Sequence, residues 1–275
     1  MRLFNYWKYT RSCTFMFRLL LAWFFVKLSY FVWFDSKKGV KMLKVANYFC
    51  SKEYIFNTPF WKYIWWSLQE YVLMDENYES TIWNIVRKIS NKKDVNKYLI
   101  NIWCNVWRWA IELSKNYWYN VLAFEPAPHT YYSLMVNIAL SNLLDKIKSF
   151  NIALWDKDDV LKFEYRDYFN WGSHVIDGKE AEINWEIIGV PSKKFDDLWI
   201  DESIIKGTRL LIMDVEWFEY NVLKWMEKTL KKFENITMII EIWDNAKNRD
   251  QTFEILEKSW FQYKRIDESN FLFTK

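Results

Sequence analysis

From Lys97 onward the chain alternates short apolar runs with stretches of helical periodicity, and this alternation most narrows the folds open to it. Apolar runs at 98–102, 121–124, 147–154, 160–165, 209–213 and 236–242 are short and bounded by turn residues, so they read as strands. Segments 109–116, 128–141, 219–232 and 249–259 read as helices; in 219–232, Val222, Leu223, Met226 and Leu230 share one side. Runs at 261–266 and 270–273 suit a closing hairpin. Strands that stay apolar at every position are buried on both faces, which predicts an α/β fold with a doubly wound, mostly parallel sheet.

The N-terminal part reads differently. Residues 1–50 suit one or two helices with a break near 35–39, and 52–75 suit a β-hairpin turning at Asn57-Thr58-Pro59. Asp75 can cap a helix running to 89, with Ile82, Ile85, Val86 and Ile89 on one face, and 91–94 is a polar loop. The expected organisation is a basic aromatic helical extension (1–50), a hairpin and helix leading into the core (51–96), and the main domain (97–275).

Charge is unevenly spread. Residues 1–52 hold ten Lys/Arg against the single acid Asp35, so the rest of the chain is net acidic. The whole-chain charge of +3 gives no case for nucleic acid. Segment 15–34 is apolar and aromatic, but Arg18 and Lys27 interrupt it, leaving no run of the ~18 uncharged residues a membrane span needs. No small-residue cleavage site follows to mark a signal peptide. Two readings stay open: a core-packing helix, or a basic aromatic helix lying on an anionic membrane surface. Cys13, Cys50 and Cys104 are odd in number and lack CxxC spacing, so neither a disulfide framework nor a metal site is expected. A reducing compartment follows. The predicted location is cytoplasmic, with residues 1–50 supplying any peripheral contact at the inner face of the membrane.

Nineteen tryptophans against five glycines invert the usual proportion, glycine alone being about 7% of a typical chain. Trp103 and Trp107 stand in Asn101-Ile102-Trp103-Cys104-Asn105-Val106-Trp107, where a buried strand runs into a turn. Trp155 follows Ala153-Leu154, and Trp217 follows Asp214-Val215-Glu216. With glycine at these places all three become ordinary strand-to-loop junctions. One reading is that many of these codons are UGA, reassigned to glycine at the source and translated as tryptophan; the other is a truly tryptophan-rich chain. UGG codons at 103, 107 and 217 would sink the first.

In a doubly wound sheet a ligand lies outside the carboxyl ends of the strands, at the point where strand order reverses. The loop 101–107 follows the first strand of the alternating region, and Glu125 in Phe124-Glu125-Pro126 ends the next. A carboxylate there can accept both hydrogen bonds of a ribose diol; otherwise it is a solvated strand-end acid. Asp214 and Glu216 end another strand and lie on one side of an extended segment, so either could deprotonate an acceptor; they could equally be a helix N-terminal pair favoured by the dipole. His174, in a Gly/Ser loop, is a further candidate base or a plain loop histidine, and His129 reads as a first-turn helix residue. Glu219 suits a helix cap or a substrate contact, and Glu241, ending a buried strand, suits the wall of a ligand pocket. Asn235-Ile236-Thr237 matches a glycosylation sequon but opens a buried strand, and reads as chance.

The loop 101–107 and Phe124-Glu125-Pro126, together with Asn137-Ile138-Ala139-Leu140-Ser141-Asn142, Ala153-Leu154-Trp155-Asp156, Asp214-Val215-Glu216-Trp217-Phe218-Glu219 and the helix from Val222 to Leu230, resemble the FkbM-type S-adenosylmethionine-dependent methyltransferases in order and spacing. The likeness covers roughly 97–275. It implies a Rossmann-like class I methyltransferase with a seven-stranded sheet and S-adenosyl-L-methionine as cofactor. Asn101, Trp103, Asn105 and Trp107 would form the cofactor cradle, Glu125 and Pro126 the ribose side, and Asp156 the adenine side. The acceptor implied is a hydroxyl of a sugar, glycan or related small metabolite. There are two departures: Asn101 stands where the family usually has Asp, and Trp replaces Gly at 103, 107, 217 and 225. Asn101 cannot offset the methionyl ammonium charge as Asp would, and two indoles in the cradle oppose binding. The rival expectation is therefore a catalytically inactive fold of this type, serving as a membrane-associated interaction protein. Trp109 and Trp243 suit genuine aromatics.

Overall fold

The structure, a computed structural model, describes residues 80–90, 97–105, 108–165, 173–176 and 186–275. The expectations for 1–50, for the 52–75 hairpin, for the Asp75 cap, for the 91–94 loop and for Trp107 lie outside these residues. One compact unit begins at Thr81 and runs to Lys275. It opens with helix α1 (Ser80–Ser90), whose Ile82 and Val86, one turn apart, are both buried.

The main sheet holds seven strands: β1 (Tyr98–Ile102), β2 (Asn120–Phe124), β3 (Ile147–Phe150), β8 (Thr208–Met213), β9 (Thr237–Glu241), β10 (Gln262–Arg265) and β11 (Asn270–Thr274). Their order is β10-β11-β9-β8-β1-β2-β3. Neighbours from β9 through β3 are parallel, and only the closing hairpin β10–β11 is antiparallel. The chain winds outward from β1 through β2 to β3, then returns to the other side of β1 with β8, so strand order reverses between β1 and β8. Alternate side chains feed two cores. Ile100, Ile102, Leu122, Phe124, Leu211 and Met213 face one; Leu99, Val121, Ala123, Leu210, Ile212 and Ile239 face the other. Burial on both faces is why these strands carry no polar alternation.

Helices α2 (Arg108–Tyr117) and α3 (Pro128–Leu140) follow β1 and β2, α4 (Glu202–Gly207) precedes β8, and α7 (Arg249–Lys258) precedes the hairpin. The single helix expected over 219–232 is two: α5 (Glu219–Lys224) and α6 (Glu227–Lys232). The break has an external cause. Asp196 Oδ2 accepts from the Lys228 backbone N–H at 2.9 Å and Oδ1 from that of Thr229 at 3.0 Å, capping a fresh helix start. Asp196 sits in a one-turn 3-10 helix (Phe195–Asp197), far away in sequence.

A second sheet did not emerge from the alternation. It holds β4 (Ala153–Leu154), β5 (Asp159–Tyr165), β6 (His174–Val175) and β7 (Glu186–Lys193), in the order β4-β7-β5-β6. The expected single strand over 147–154 divides, β3 staying in the main sheet and β4 joining this one. In β5 the inward side chains Leu161, Phe163 and Tyr165 alternate with exposed Val160 and Lys162, the pattern of a half-buried antiparallel strand. Its apolar side packs with Ala127, Trp103 and Phe218, residues that follow β2, β1 and β8. The small sheet thus covers the carboxyl ends of the large one. Among the described residues no helix is long and apolar enough to cross a membrane.

Candidate active site at the carboxyl edge of the sheet

Parallel register lines up the strand ends. Ile102 pairs with both Phe124 and Met213, and Met213 pairs with Ile240. The next residue on each strand therefore forms a row: Glu125, Trp103, Asp214, Glu241. The carboxylates on that row come from three strands, with position 103 between the first and the other two.

Glu125 is buried. Its Oε2 accepts the Asn105 backbone N–H at 2.8 Å and its Oε1 that of Ala127 at 2.9 Å, so it ties the loop after β1 to the turn after β2. Burial pushes this carboxyl up to about 8, against the opposing pull of the two backbone donors. Pro126 is buried in the same turn. Asn151, which sequence reasoning passed over, holds that turn: its Nδ2 donates to the Glu125 carbonyl at 2.8 Å and to the Pro126 carbonyl at 2.9 Å. A polar residue closing an apolar strand was the one signal for it.

On the β1 side, Asn101 is buried and its Nδ2 donates to Cys104 Sγ at 3.2 Å. Trp103 and Asn105 have left-handed backbones, φ 66° and 55°. The Trp103 ring lies 5.4 Å from that of Phe163 and packs against the cluster containing Ala127 and Trp155, so it occupies the space between the β1 end and the covering sheet. Asp156, next to Trp155, has a buried Oδ1 without a hydrogen-bond partner.

Across the row, the Asp214 and Glu241 carboxyls stand at the ends of neighbouring strands and interact by charge and hydrogen bonding, both of which favour a protonated Asp214. Glu241 Oε1 also accepts Ser269 Oγ–H at 2.9 Å. Desolvation by packed protein, then the charges of Glu241, Glu216 and Glu219, push Asp214 well above the ordinary Asp range. The Asp214 residue as a whole is solvent-exposed, so the like charges are the cause the geometry supports most directly. Glu216 and Trp217, φ 52° and 75°, turn the chain so that Glu219 comes back under the loop as the first residue of α5. Glu219 is buried, and its Oε1 has no hydrogen-bond partner. Burial, reinforced by Glu241, raises it to about 8 against backbone hydrogen bonds from Glu219 itself, Val215 and Trp217. It opens α5 and takes backbone hydrogen bonds there, as the cap reading expects, but from a buried position. His174 lies on β6 opposite Glu164, not in a loop, and its ring meets that of Trp217 edge-on at 6.3 Å. Among the described residues no group of His, Cys, Asp and Glu could hold a metal ion.

For a nucleoside cofactor the polar groups fit. Glu125 Oε1 and Oε2 each keep a lone pair beside the backbone bonds they accept, as a diol would require, and the partnerless Asp156 Oδ1 is an acceptor of the kind an amino group needs. The indole of Trp103 does not fit, because it fills space against Phe163 and the cluster that holds Ala127 and Trp155.

The domain described as Methyltransferase FkbM domain matches residues 90–268. Among solved structures, the chain is similar to the methyltransferase FkbM from Methylobacillus flagellatus KT (11% identity, TM-score 0.44), with 66% of this chain and 44% of that one covered. It is also similar to TYW2 of M. jannaschii in complex with AdoMet (11% identity, TM-score 0.38, 70% and 73% covered). A third is the precorrin-6y C5,15-methyltransferase from Geobacter metallireducens GS-15 (9% identity, TM-score 0.42, 73% and 88% covered). The chain thus spans less than half the length of the first of these. No curated protein matches it. The domain match extends over more than half of the chain and takes in both the Glu125 turn and the Asp214 edge, and on that ground the chain belongs to the FkbM family of S-adenosyl-L-methionine-dependent methyltransferases.

Proposed function

We propose that the chain methylates a hydroxyl group of a sugar, glycan or related small metabolite, with Asp214 as the group that takes the hydroxyl proton. The observation that carries this reading is the Asp214–Glu241 carboxyl pair at the sheet edge, one strand away from position 103. The cofactor supplies an electrophilic methyl group. The chain's own residues must align the acceptor, exclude water and remove a proton as the oxygen attacks.

Asp214 with a raised protonation point is a stronger base once ionised than an ordinary aspartate. Glu241, fixed by Ser269, orients it. Glu216 and the buried Glu219 add negative charge near Asp214, and Glu219 Oε1 has no hydrogen-bond partner. His174 closes the side formed by the 217 turn. Glu125, Pro126, Asn105 and Asp156 hold the nucleoside, with Asn101 and residues 103 and 107 completing the cradle. The test is incubation with methyl-labelled cofactor and a panel of sugar hydroxyls and amines. Base-stable methyl ethers support the reading, and label confined to nitrogen overturns it.

The indole of Trp103 favours a second reading, an inactive fold acting through interactions at a membrane surface. The ten basic residues of 1–52 are its other support. It requires that S-adenosylhomocysteine fail to bind with either tryptophan or glycine at 103 and 107, and that the chain pellet with anionic vesicles.

A further inference from the structure

Among the described residues, eight other than glycine have a left-handed backbone, and four of them are tryptophan. Three are asparagine, whose short amide tolerates this region by bonding locally. The eighth, Glu216, adjoins Trp217 in one turn. For a side chain as bulky as tryptophan, a positive φ is a true outlier. The values are 66° at Trp103, 59° at Trp118, 75° at Trp217 and 70° at Trp260.

Trp118 and Trp260 are the informative pair, because both lie at helix ends away from the site. Trp118 directly follows α2. Beyond α7, the Trp260 N–H donates to the Glu257 carbonyl at 2.9 Å and the Phe261 N–H to the Leu256 carbonyl at 3.0 Å. This paired closure puts Trp260 at the left-handed position just past the helix, where glycine is strongly enriched. Both indoles are solvent-exposed, at 75% and 80%, so little packing repays the backbone cost.

Other tryptophans are different. Trp83 and Trp109 stack at 4.1 Å. Trp155 is buried, and its N–H donates to the Lys193 carbonyl at 2.9 Å. Trp225, at φ −102°, lies under the Lys194 ammonium. The backbone at these places is not left-handed and makes no demand for glycine. It does so at the four positions, two inside the site and two outside it.

We propose that residues 103, 118, 217 and 260 are glycine in the functional protein, and that glycine at 103 opens the cradle to the cofactor. The second clause rests on the methyltransferase reading; the first does not. Removing the side chain at 103 vacates the space against Phe163 and lets backbone approach the ligand.

The test begins away from the site. Trp118→Gly and Trp260→Gly are compared with Trp118→Ala and Trp260→Ala in the full chain by thermal and urea denaturation. Alanine removes the exposed ring, while only glycine relieves the backbone. Each glycine variant is expected to melt above both the alanine variant and the chain as written; equal midpoints for glycine and alanine overturn the proposal. Trp103→Gly is then titrated with S-adenosylhomocysteine, and binding at least about tenfold tighter is expected. No tightening, with the gains at 118 and 260 intact, overturns the cradle clause alone. Peptide mass spectrometry of the protein from its source reads 118 and 260 directly, and tryptophan there overturns the first clause.

Discussion

Glu125 accepts the backbone N–H of Asn105 at 2.8 Å, across the gap between the ends of β1 and β2. One buried carboxylate thereby sets the spacing of the two loops that border the nucleoside side of the site, while its other oxygen is held by Ala127. Glu125→Gln keeps the shape but replaces one acceptor by an amide NH2 that faces a backbone donor. A buried unsatisfied donor costs about 1–3 kcal/mol of stability, and the distorted loop spacing together with the lost acceptor should lower S-adenosylhomocysteine affinity about tenfold in a background that binds it. Calorimetric titration decides this, and an unchanged Kd removes Glu125 from the site.

The same group makes cofactor affinity depend on pH. Ribose hydroxyls donate hydrogen bonds, so they favour the ionised carboxylate, whereas burial holds Glu125 protonated up to about 8. Affinity should therefore rise with pH toward and through that value, and the slope should vanish in Glu125→Gln. A slope that survives the substitution assigns the proton to another group.

Stability should run in the opposite direction. Glu125 and Glu219 both have folded values near 8, against the ordinary 4.5. Between those limits the folded protein binds more protons than the unfolded chain. Each contribution is complete below about 4.5 and is lost as pH rises through about 8, on the order of a few kcal/mol per group. Urea midpoints should fall from pH 5 to pH 8.5, and Glu219→Gln should flatten part of that fall. An identical slope in the variant would falsify the assignment to Glu219.

Asp196 carries the start of α6 from outside the helix, through the backbone N–H groups of Lys228 and Thr229 and the Thr229 hydroxyl at 2.7 Å. Asp196→Ala should cost about 1–2 kcal/mol, a melting midpoint lower by about 3–6 °C for a unit of this size. The loss should leave S-adenosylhomocysteine affinity unchanged, because the Asp196 carboxylate is engaged by the start of α6 and not by a residue of the candidate site. A drop in affinity matching the drop in stability would tie α6 to the site.

The centre of the main sheet was legible because β1, β2, β8 and β9 are apolar on both faces, while the edge strands β3 and β10, Ile-Lys-Ser-Phe and Gln-Tyr-Lys-Arg, carry polar residues. The second sheet was not. Its strands β4 and β6 have two residues each, and β7 runs Glu-Ile-Ile-Gly-Val-Pro-Ser-Lys, with Gly189 and Pro191 inside a run that pairs along its length with β5. Local signals there point to a loop, and long-range pairing overrides them. The break between α5 and α6 was hidden for a similar reason, since its cause, Asp196, is about thirty residues away. At the site, the strand-end carboxylates could be located from strand order. That Glu219 is buried, that Asp214 meets Glu241 across the strand ends and that Asn151 holds the Glu125 turn depend on packing that no single segment encodes.

The raised protonation point of Asp214, held up by burial and by Glu241, leads to a test of the chemistry itself. Methyl transfer to a hydroxyl needs a base, and a protonated Asp214 cannot serve. Turnover should therefore rise with pH through the raised protonation point of Asp214. Asp214→Asn removes the base while keeping size and a hydrogen bond to Glu241. It should lower kcat by about 10²–10⁴ and abolish the acid limb of the pH profile, with the affinity for S-adenosylhomocysteine retained. Glu241→Gln keeps Asp214 but removes its nearest like charge, so the limb should move to lower pH with a smaller loss of kcat. The measurement is the pH dependence of kcat in the glycine-restored background. Should Asp214→Asn keep the limb, the base is another group, and His174, beside the 217 turn, is the next to replace.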